Sequence, residues 1–158
     1  MRPAELEEVG RLTSEVYVGD GYIAAGDEYA RELLDTIRRT SEAEVWVAVA
    51  PDGELLGSVT FCPVGSAYRE IGRADEGEFR MLAVSPAARG RGLGLALVEL
   101  CLRRARELGY TRVRMSSMDR MTQAHRVYER LGFVRAPEDD WSPAPGVQLL
   151  AYVVTVAA

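Results

Sequence analysis

The stretch Ala83–Gly109, AVSPAARGRGLGLALVELCLRRARELG, limits this chain's possible folds more tightly than any other. Gly90, Gly92 and Gly94 stand where an amphipathic run begins, and glycine inside a helix costs roughly 1 kcal/mol relative to alanine. Glycines crowded at one helix start imply a ligand that approaches the backbone closely. The N–H groups there lack helical partners and the helix dipole favours negative charge, so that ligand is expected to be an anion. Arg89 and Arg91 add positive charge beside it. The competing reading is a flexible turn with solvated arginines.

Three known kinds of glycine-rich turn compete for this segment. A Walker loop needs lysine followed by serine or threonine, and the chain contains no lysine at all. That absence also removes Schiff-base chemistry and a lysine base. A dinucleotide fingerprint needs a glycine at the sixth position, where Leu95 stands when Gly90 is the first, and no acidic residue ends a strand at the expected distance. The third pattern, Arg-x-x-Gly-x-Gly, is met by Arg89, Gly92 and Gly94.

The remaining composition narrows the field. A formal charge of −5 argues against a general nucleic-acid binder while leaving room for a local basic pocket. Cys62 and Cys101 lie in apolar segments without metal-ligand spacing, and His125 is the only histidine, so no metal site is expected. No segment approaches the length of a membrane span, and MRPAELEEVGRL lacks the apolar run of a signal peptide. A cytoplasmic protein without membrane or nucleic-acid partners is the expectation. The length of 158 residues suits one domain, residues 1–158, with no repeat or linker.

Apolar periodicity supplies the elements. Leu6, Val9, Thr13, Val16 and Tyr17 mark an opening helix, and Tyr29, Ala30, Leu33, Leu34 and Ile37 mark a second. EVWVAVA and ELLGSVTFC flank PDG as a hairpin, Pro63–Gly77 reads as a loop, and EFRMLAVS as a strand. The long helix from Leu93 to Leu108 stops at Gly109, TRVRMSS forms a strand, and Ala124, Val127, Tyr128 and Leu131 mark a short helix stopped by Gly132. FVRA begins a strand, PEDDWSPAPG reads as a loop, and VQLLAYVVTV as a long last strand. That apolar last strand suits either core packing or a homodimer.

The Arg89 motif resembles the pyrophosphate-binding signature of the GNAT superfamily of acyl-coenzyme A transferases. AHRVYERLGF, Ala124–Phe133, resembles the second signature of the same family, with an alanine four residues before a tyrosine and Gly-Phe after it. Both motifs stand in the family's order and spacing. Two departures accompany them. Met121 stands where many members carry asparagine, and the usual first strand is expected to be absent or very short.

The resemblance implies an α/β fold with a mixed, mostly antiparallel central sheet splayed at the cofactor site and helices on both faces. It implies acetyl-CoA as cosubstrate, with the pyrophosphate at Arg89, Gly90, Arg91, Gly92, Leu93, Gly94 and Leu95, and the pantetheine arm along Leu82, Ala83 and Val84. Tyr128 matches the tyrosine that protonates the departing thiolate, although it also falls on its helix's apolar stripe. Glu78 stands where some members carry a glutamate base; the alternatives are a pair with Arg80 or an arginine of TRVR, or solvent. Strand alternation places Glu78, Arg80, Leu82 and Val84 on one face. Tyr68, Glu70, Asp139, Asp140 and Trp141 would suit a cationic amine acceptor, and His125 reads as solvated. Direct attack by the amine needs no covalent enzyme intermediate, so Cys62 and Cys101 read as buried filler. The expected function is acetyl transfer to a primary amine of a small molecule or peptide. The alternatives are a longer acyl donor, or an acyl-CoA-binding sensor or scaffold that catalyses little.

Overall fold

The opening apolar rhythm winds into helix α1 (Pro3–Gly19), whose buried side is Val9, Thr13, Val16 and Tyr17. The computed structural model describes residues 2–156. Pro3 occupies the first turn, where its missing N–H costs nothing, and the Glu5 carboxylate reaches back 2.7 Å to the Arg2 N–H. No strand precedes α1 among the described residues.

The second apolar segment is not one helix. It divides into α2 (Glu28–Leu34) and α3 (Thr36–Glu42) at Asp35, which ends the first and caps the second. The Asp35 carboxylate accepts from the Arg38 N–H at 3.1 Å, so side chain and backbone both favour a break there. Ile37 consequently leaves the apolar stripe and is 71% exposed.

The strands are β1 (Glu44–Val49), β2 (Leu55–Cys62), β3 (Glu76–Val84), β4 (Arg112–Met118), β5 (Val134–Arg135), β6 (Trp141–Ala144) and β7 (Val147–Thr155). They form one sheet in the order β1-β2-β3-β4-β7-β5, with β6 also on β7; every pairing is antiparallel except β3 with β4. Strand β6 lies inside the proline-rich segment read as a loop. It pairs only with β7, an edge position where Pro143 removes no shared ladder bond, and Gly146 at φ +79° makes the turn.

Helices α4 (Leu93–Glu107) and α5 (Thr122–Arg130) cover one face of the sheet. There Val98, Cys101 and Leu102 pack with Phe61, Phe79, Val113 and Met115. On the opposite face Val16, Tyr17 and Leu33 from α1 and α2 meet Cys62, Met81 and Ala83. Each such large side chain contributes roughly 1.5–3 kcal/mol when withdrawn from water, so both helix layers are firmly held. Cys62 and Cys101 are unpaired and fully buried. Burial pushes the Cys62 thiol up to about 12 and raises that of Cys101 as well, which leaves both inert as nucleophiles.

Two irregularities of β3 create the functional cleft. First, β3 pairs with β4 only at Glu76–Glu78 against Arg112–Arg114, after which the strands diverge. Below the divergence, Arg114 is buried against Glu76 at 2.7 Å and closes the lower sheet. Second, the register against β2 jumps from Ser58↔Ala83 to Thr60↔Arg80, setting one more residue on β3 than on β2. Met81 takes φ +56° in this bulge. The bulge reverses the alternation. Glu78 pairs beside buried Cys62 on the α1–α2 side, whereas Leu82 and Val84 pack with the α4–α5 core. These residues therefore do not share one face as simple alternation requires.

Candidate active site

The divergence of β3 from β4 opens a cleft of about 930 Å³. One end is the glycine loop before α4, the middle is the free edge of β3, and the far end is bounded by α2 and the β2–β3 loop.

At the first end, Gly90 and Gly92 have φ of +81° and +75°, a conformation that disfavours any side chain. A Cβ on either would meet no atom within 4 Å, so neighbours do not crowd these positions. Backbone conformation demands the glycines, and the open space stands ready for a ligand. Gly92 caps α4 without a side-chain bond, leaving the N–H groups of the first turn aimed outward. Arg89, Gly90, Gly92, Leu93, Gly94 and Leu95 all line the cleft; Arg91 is exposed and does not. The guanidinium of Arg89 is held by Asp20, at the end of α1, through bonds of 3.2 and 2.7 Å. No sequence pattern singled out Asp20, because the pair spans distant segments of chain.

Along the middle, Leu82, Ala83 and Val84 line the cleft on the side where β4 has moved away. Tyr128 projects from α5 and lines the same space while only 3% exposed. Its ring packs on Phe79, Phe133 and Tyr152 at centroid distances of 5.8 Å each. Burial raises its pKa well above the ordinary phenol value, and the nearby Ser117 side chain opposes that rise. The hydroxyl therefore stays protonated at neutral pH. Being core and facing the cleft are compatible here.

At the far end, Tyr68, Glu70, Glu32 and Arg80 line the wall. Arg80 is saturated by its neighbours: its Nε lies 2.8 Å from Glu70 Oε1, and its Nη1 donates to the Tyr68 carbonyl at 3.2 Å. Its remaining contacts are the Tyr29 hydroxyl at 3.4 Å and Glu32 at 3.7 Å.

A glycine-bearing helix start, a strand edge freed by divergence and a buried tyrosine meet in one cleft. Residues 10–133 match the model of the acetyltransferase (GNAT) family. The chain belongs to the GNAT acetyltransferase family. Among curated relatives, an uncharacterised N-acetyltransferase of Schizosaccharomyces pombe is 27% identical, covering 92% of this chain and 86% of its own length. A mycothiol acetyltransferase of Cellulomonas flavigena is 35% identical over 71% of this chain, which spans 36% of that longer protein. An acetyltransferase structure from Staphylococcus aureus Mu50 aligns with a TM-score of 0.77 and 14% identity, covering 99% of this chain and 96% of its own. A Salmonella typhimurium structure solved with its cofactor acetyl-CoA gives 0.69 and 16%, over 100% and 92% of the two chains. At these identities both establish a shared GNAT fold.

Within this GNAT chain, several residues singled out from sequence stand away from the cleft. Glu78 is fully buried and does not line it. Its carboxylate accepts the N–H groups of Glu70, Ile71 and Gly72, with Oε2 at 3.0, 3.2 and 3.0 Å. Burial raises its pKa while those three N–H groups pull it back. Glu78 thus shapes the β2–β3 loop and presents no free oxygen to a ligand in the cleft.

Asp139, Asp140 and Trp141 also lie outside the cleft lining. Asp139 bonds to buried Arg114 at 2.8 Å, and Asp140 accepts the Ala151 N–H at 2.7 Å while pairing with Arg135. Trp141 begins β6 and donates to Ser116 Oγ at 3.3 Å. These acids fasten the Pro137–Asp139 turn to the sheet and stand outside the cleft lining. Asp139→Ala is expected to cost about 1–3 kcal/mol of stability by removing a charged partner from Arg114. Thermal denaturation would show it, and the KM for any acceptor should not change.

His125 is half-buried instead of solvated. Its ring lies 5.4 Å from that of Tyr152, and Nε2 is within 3.0 Å of the Met118 carbonyl and 3.2 Å of Ser117 Oγ. Burial lowers its pKa, so it is neutral at physiological pH. Ser117 Oγ also reaches Met121 Sδ at 3.5 Å, so it ties His125 to the start of α5. Met121, in the place where many members carry asparagine, lines the cleft and caps α5 without a side-chain bond.

Proposed function

We propose that this chain acts as a single GNAT domain that moves an acetyl group from acetyl-coenzyme A to a primary amine of a small molecule or peptide. The observation that supports this most is the continuity of one cleft from the glycine loop, past the free edge of β3, to Tyr128. The residues present fit the cosubstrate. Gly90 and Gly92 leave open space over outward-facing N–H groups, and Arg89 stands beside them as a guanidinium for the pyrophosphate. The edge at Leu82–Val84 can hydrogen-bond the amides of the pantetheine arm as an added strand would. An N–H of the same edge can take the oxyanion that forms as an amine attacks the thioester carbon.

Tyr128 donates its proton to the sulfur as the carbon–sulfur bond breaks. A phenol near ~10 is a weak donor to a thiolate near ~8.5 when both are in water. The same burial that disfavours tyrosinate disfavours thiolate, which brings the two closer to balance. Ser117 stabilises the oxygen that gives up the proton. No covalent acetyl-enzyme is required, consistent with both cysteines lying buried with raised pKa. Mass spectrometry of an amine panel after incubation with protein and acetyl-CoA tests this. An acetylated amine formed only with protein present supports it, and no acetylation across alkylamines, diamines, amino-acid amides and alanine-terminated peptides would count against it.

Asp20 makes a second, local prediction. Its carboxylate neutralises Arg89 and would repel a pyrophosphate, so Asp20→Asn is expected to tighten acetyl-CoA binding a few-fold. The pair is partly exposed, which holds the effect near ~1 kcal/mol. Calorimetry at low salt measures it; weaker binding would mean that Asp20 orients Arg89 for the ligand.

A further inference from the structure

We propose that Glu70, and not Glu78, is the carboxylate that receives the acceptor's ammonium group and takes its proton. This rests on the acetyl-transfer reading above and adds the residue that prepares the nucleophile. The geometry separates the two acids clearly. Glu78 spends its oxygens on the N–H groups of residues 70–72, whereas Glu70 lines the cleft with its side chain 24% exposed. One oxygen of Glu70 is fixed by Arg80 Nε at 2.8 Å, and among the described residues no donor reaches the other. Arg80, which holds Glu70, lies two residues past Glu78, the last residue of β3 paired with β4, and both Arg80 and Glu70 line the cleft.

The two acids act in series. Glu78 holds the backbone N–H of Glu70 at 3.0 Å, which fixes the loop, and Arg80 fixes the carboxylate that the loop carries. Arg80 has its donors committed to Glu70, the Tyr68 carbonyl, Tyr29 and Glu32, so it holds the wall and does not present itself as an anion receptor. What remains available to a ligand is carboxylate oxygen on Glu70 and Glu32, because the Tyr68 ring is buried and already carries Arg38 at 5.7 Å and Arg80 at 6.0 Å. Two carboxylates suit a cationic amine through charge-assisted hydrogen bonds.

The charged and titratable groups around Glu70 also poise it for proton transfer. Burial raises its pKa to about 7, Arg80 on β3 opposes that rise, and Glu78 on β3 with Glu32 on α2 reinforce it. Tyr29 on α2 and Cys62 on β2 face the same group and stay neutral, with pKa values pushed up to about 12 by burial. A base with a pKa near the working pH is the most effective for removing a proton from an ammonium ion.

The step balances as follows. The ammonium gives one proton to Glu70 and becomes the free amine, whose lone pair forms the nitrogen–carbon bond while the carbon–sulfur bond breaks. Sulfur takes the proton of Tyr128, and the second proton lost by nitrogen restores Tyr128. Glu70 returns its proton to solvent, so the products are amide, thiol and one proton.

The test is the pH dependence of kcat/KM for thiol release, using the panel amine with the highest turnover. The wild type should rise to a plateau above about pH 7, because Glu70 ionises there and can then take the proton of the ammonium. Glu70→Gln should lose tenfold or more at pH 7. Its rate should then climb tenfold per pH unit up to the pKa of the amine, since only free amine reacts. Acetyl-CoA affinity by calorimetry should be unchanged, which also shows that the variant is folded. Glu70→Asp, with the carboxylate withdrawn by one methylene, should keep the plateau at lower height. A Gln variant that keeps the plateau, or loses rate equally at every pH, overturns the proposal while leaving acetyl transfer intact. Failure of the wild type to release thiol with any amine overturns both.

Discussion

Tyr128→Phe is expected to lower kcat by tenfold or more while leaving the affinity for acetyl-CoA unchanged. The substitution is unusually clean because the ring's work and the hydroxyl's work are separable. Phe79, Phe133 and Tyr152 contact the ring, and phenylalanine keeps all three contacts. What disappears is the hydroxyl, the proton donor that lines the cleft. A tenfold loss corresponds to about 1.4 kcal/mol of transition-state stabilisation, at the low end for general acid catalysis. Steady-state thiol release gives kcat, and calorimetry on the same preparation gives the affinity. A rate equal to wild type would make Tyr128 a core residue only. The cleft would then better suit an acyl-CoA-binding sensor or scaffold.

Gly92→Val is expected to weaken acetyl-CoA binding by tenfold or more and to lower Tm by a few degrees. A branched side chain at φ +75° is strained, and left-handed backbone costs an L-residue roughly 1–2 kcal/mol. If the backbone relaxes to relieve the strain, the first turn of α4 re-aims its N–H groups; if it does not, the new side chain fills the open space above them. Either outcome removes the anion site. Gly53→Ala provides the control. Gly53 also has positive φ, at +92°, but lies in the β1–β2 turn and outside the cleft lining. It should lose a comparable amount of stability and none of the affinity. Equal affinity losses in both variants would mean that strain alone explains the effect.

The parts of this protein legible in the sequence are those written into one short segment. The turn before α4 announces itself through Arg89, Gly92 and Gly94 because conformation, charge and helix start coincide within a few residues. Tyr128 is equally local, one position on a short helix ended by Gly132. The corrections all involve contacts between distant segments or breaks in periodicity. The bulge at Met81 reverses the alternation of β3, and no residue type at that point signals it, so Leu82 and Val84 fall on the face opposite Glu78. Which carboxylate faces the cleft depends on how the β2–β3 loop folds over β3, and that is settled by Glu78 accepting three N–H groups from it. By sequence alone Glu78 is the candidate base and Glu70 one of the acceptor candidates.

Two other misreadings had usable signals. Asp35 followed by Thr36 is a fair helix start, and it marks the division of α2 from α3. Pro143 disguises β6, although proline is tolerated on an edge strand, and among the described residues β6 pairs with β7 alone. Asp139 and Asp140 illustrate a different point. Acidic residues in a polar segment looked free, yet Arg114, Arg135 and the Ala151 N–H had claimed them.

The central claim is that one cleft both binds acetyl-CoA and delivers its acetyl group to an amine. Calorimetry with acetyl-CoA, combined with continuous detection of free thiol as an amine is added, tests both halves on one preparation. The account predicts saturable binding and thiol release that depends on the amine. Binding without release across the amine panel would contradict the catalytic half, and no binding at all would contradict the reading of the glycine loop from which the account begins.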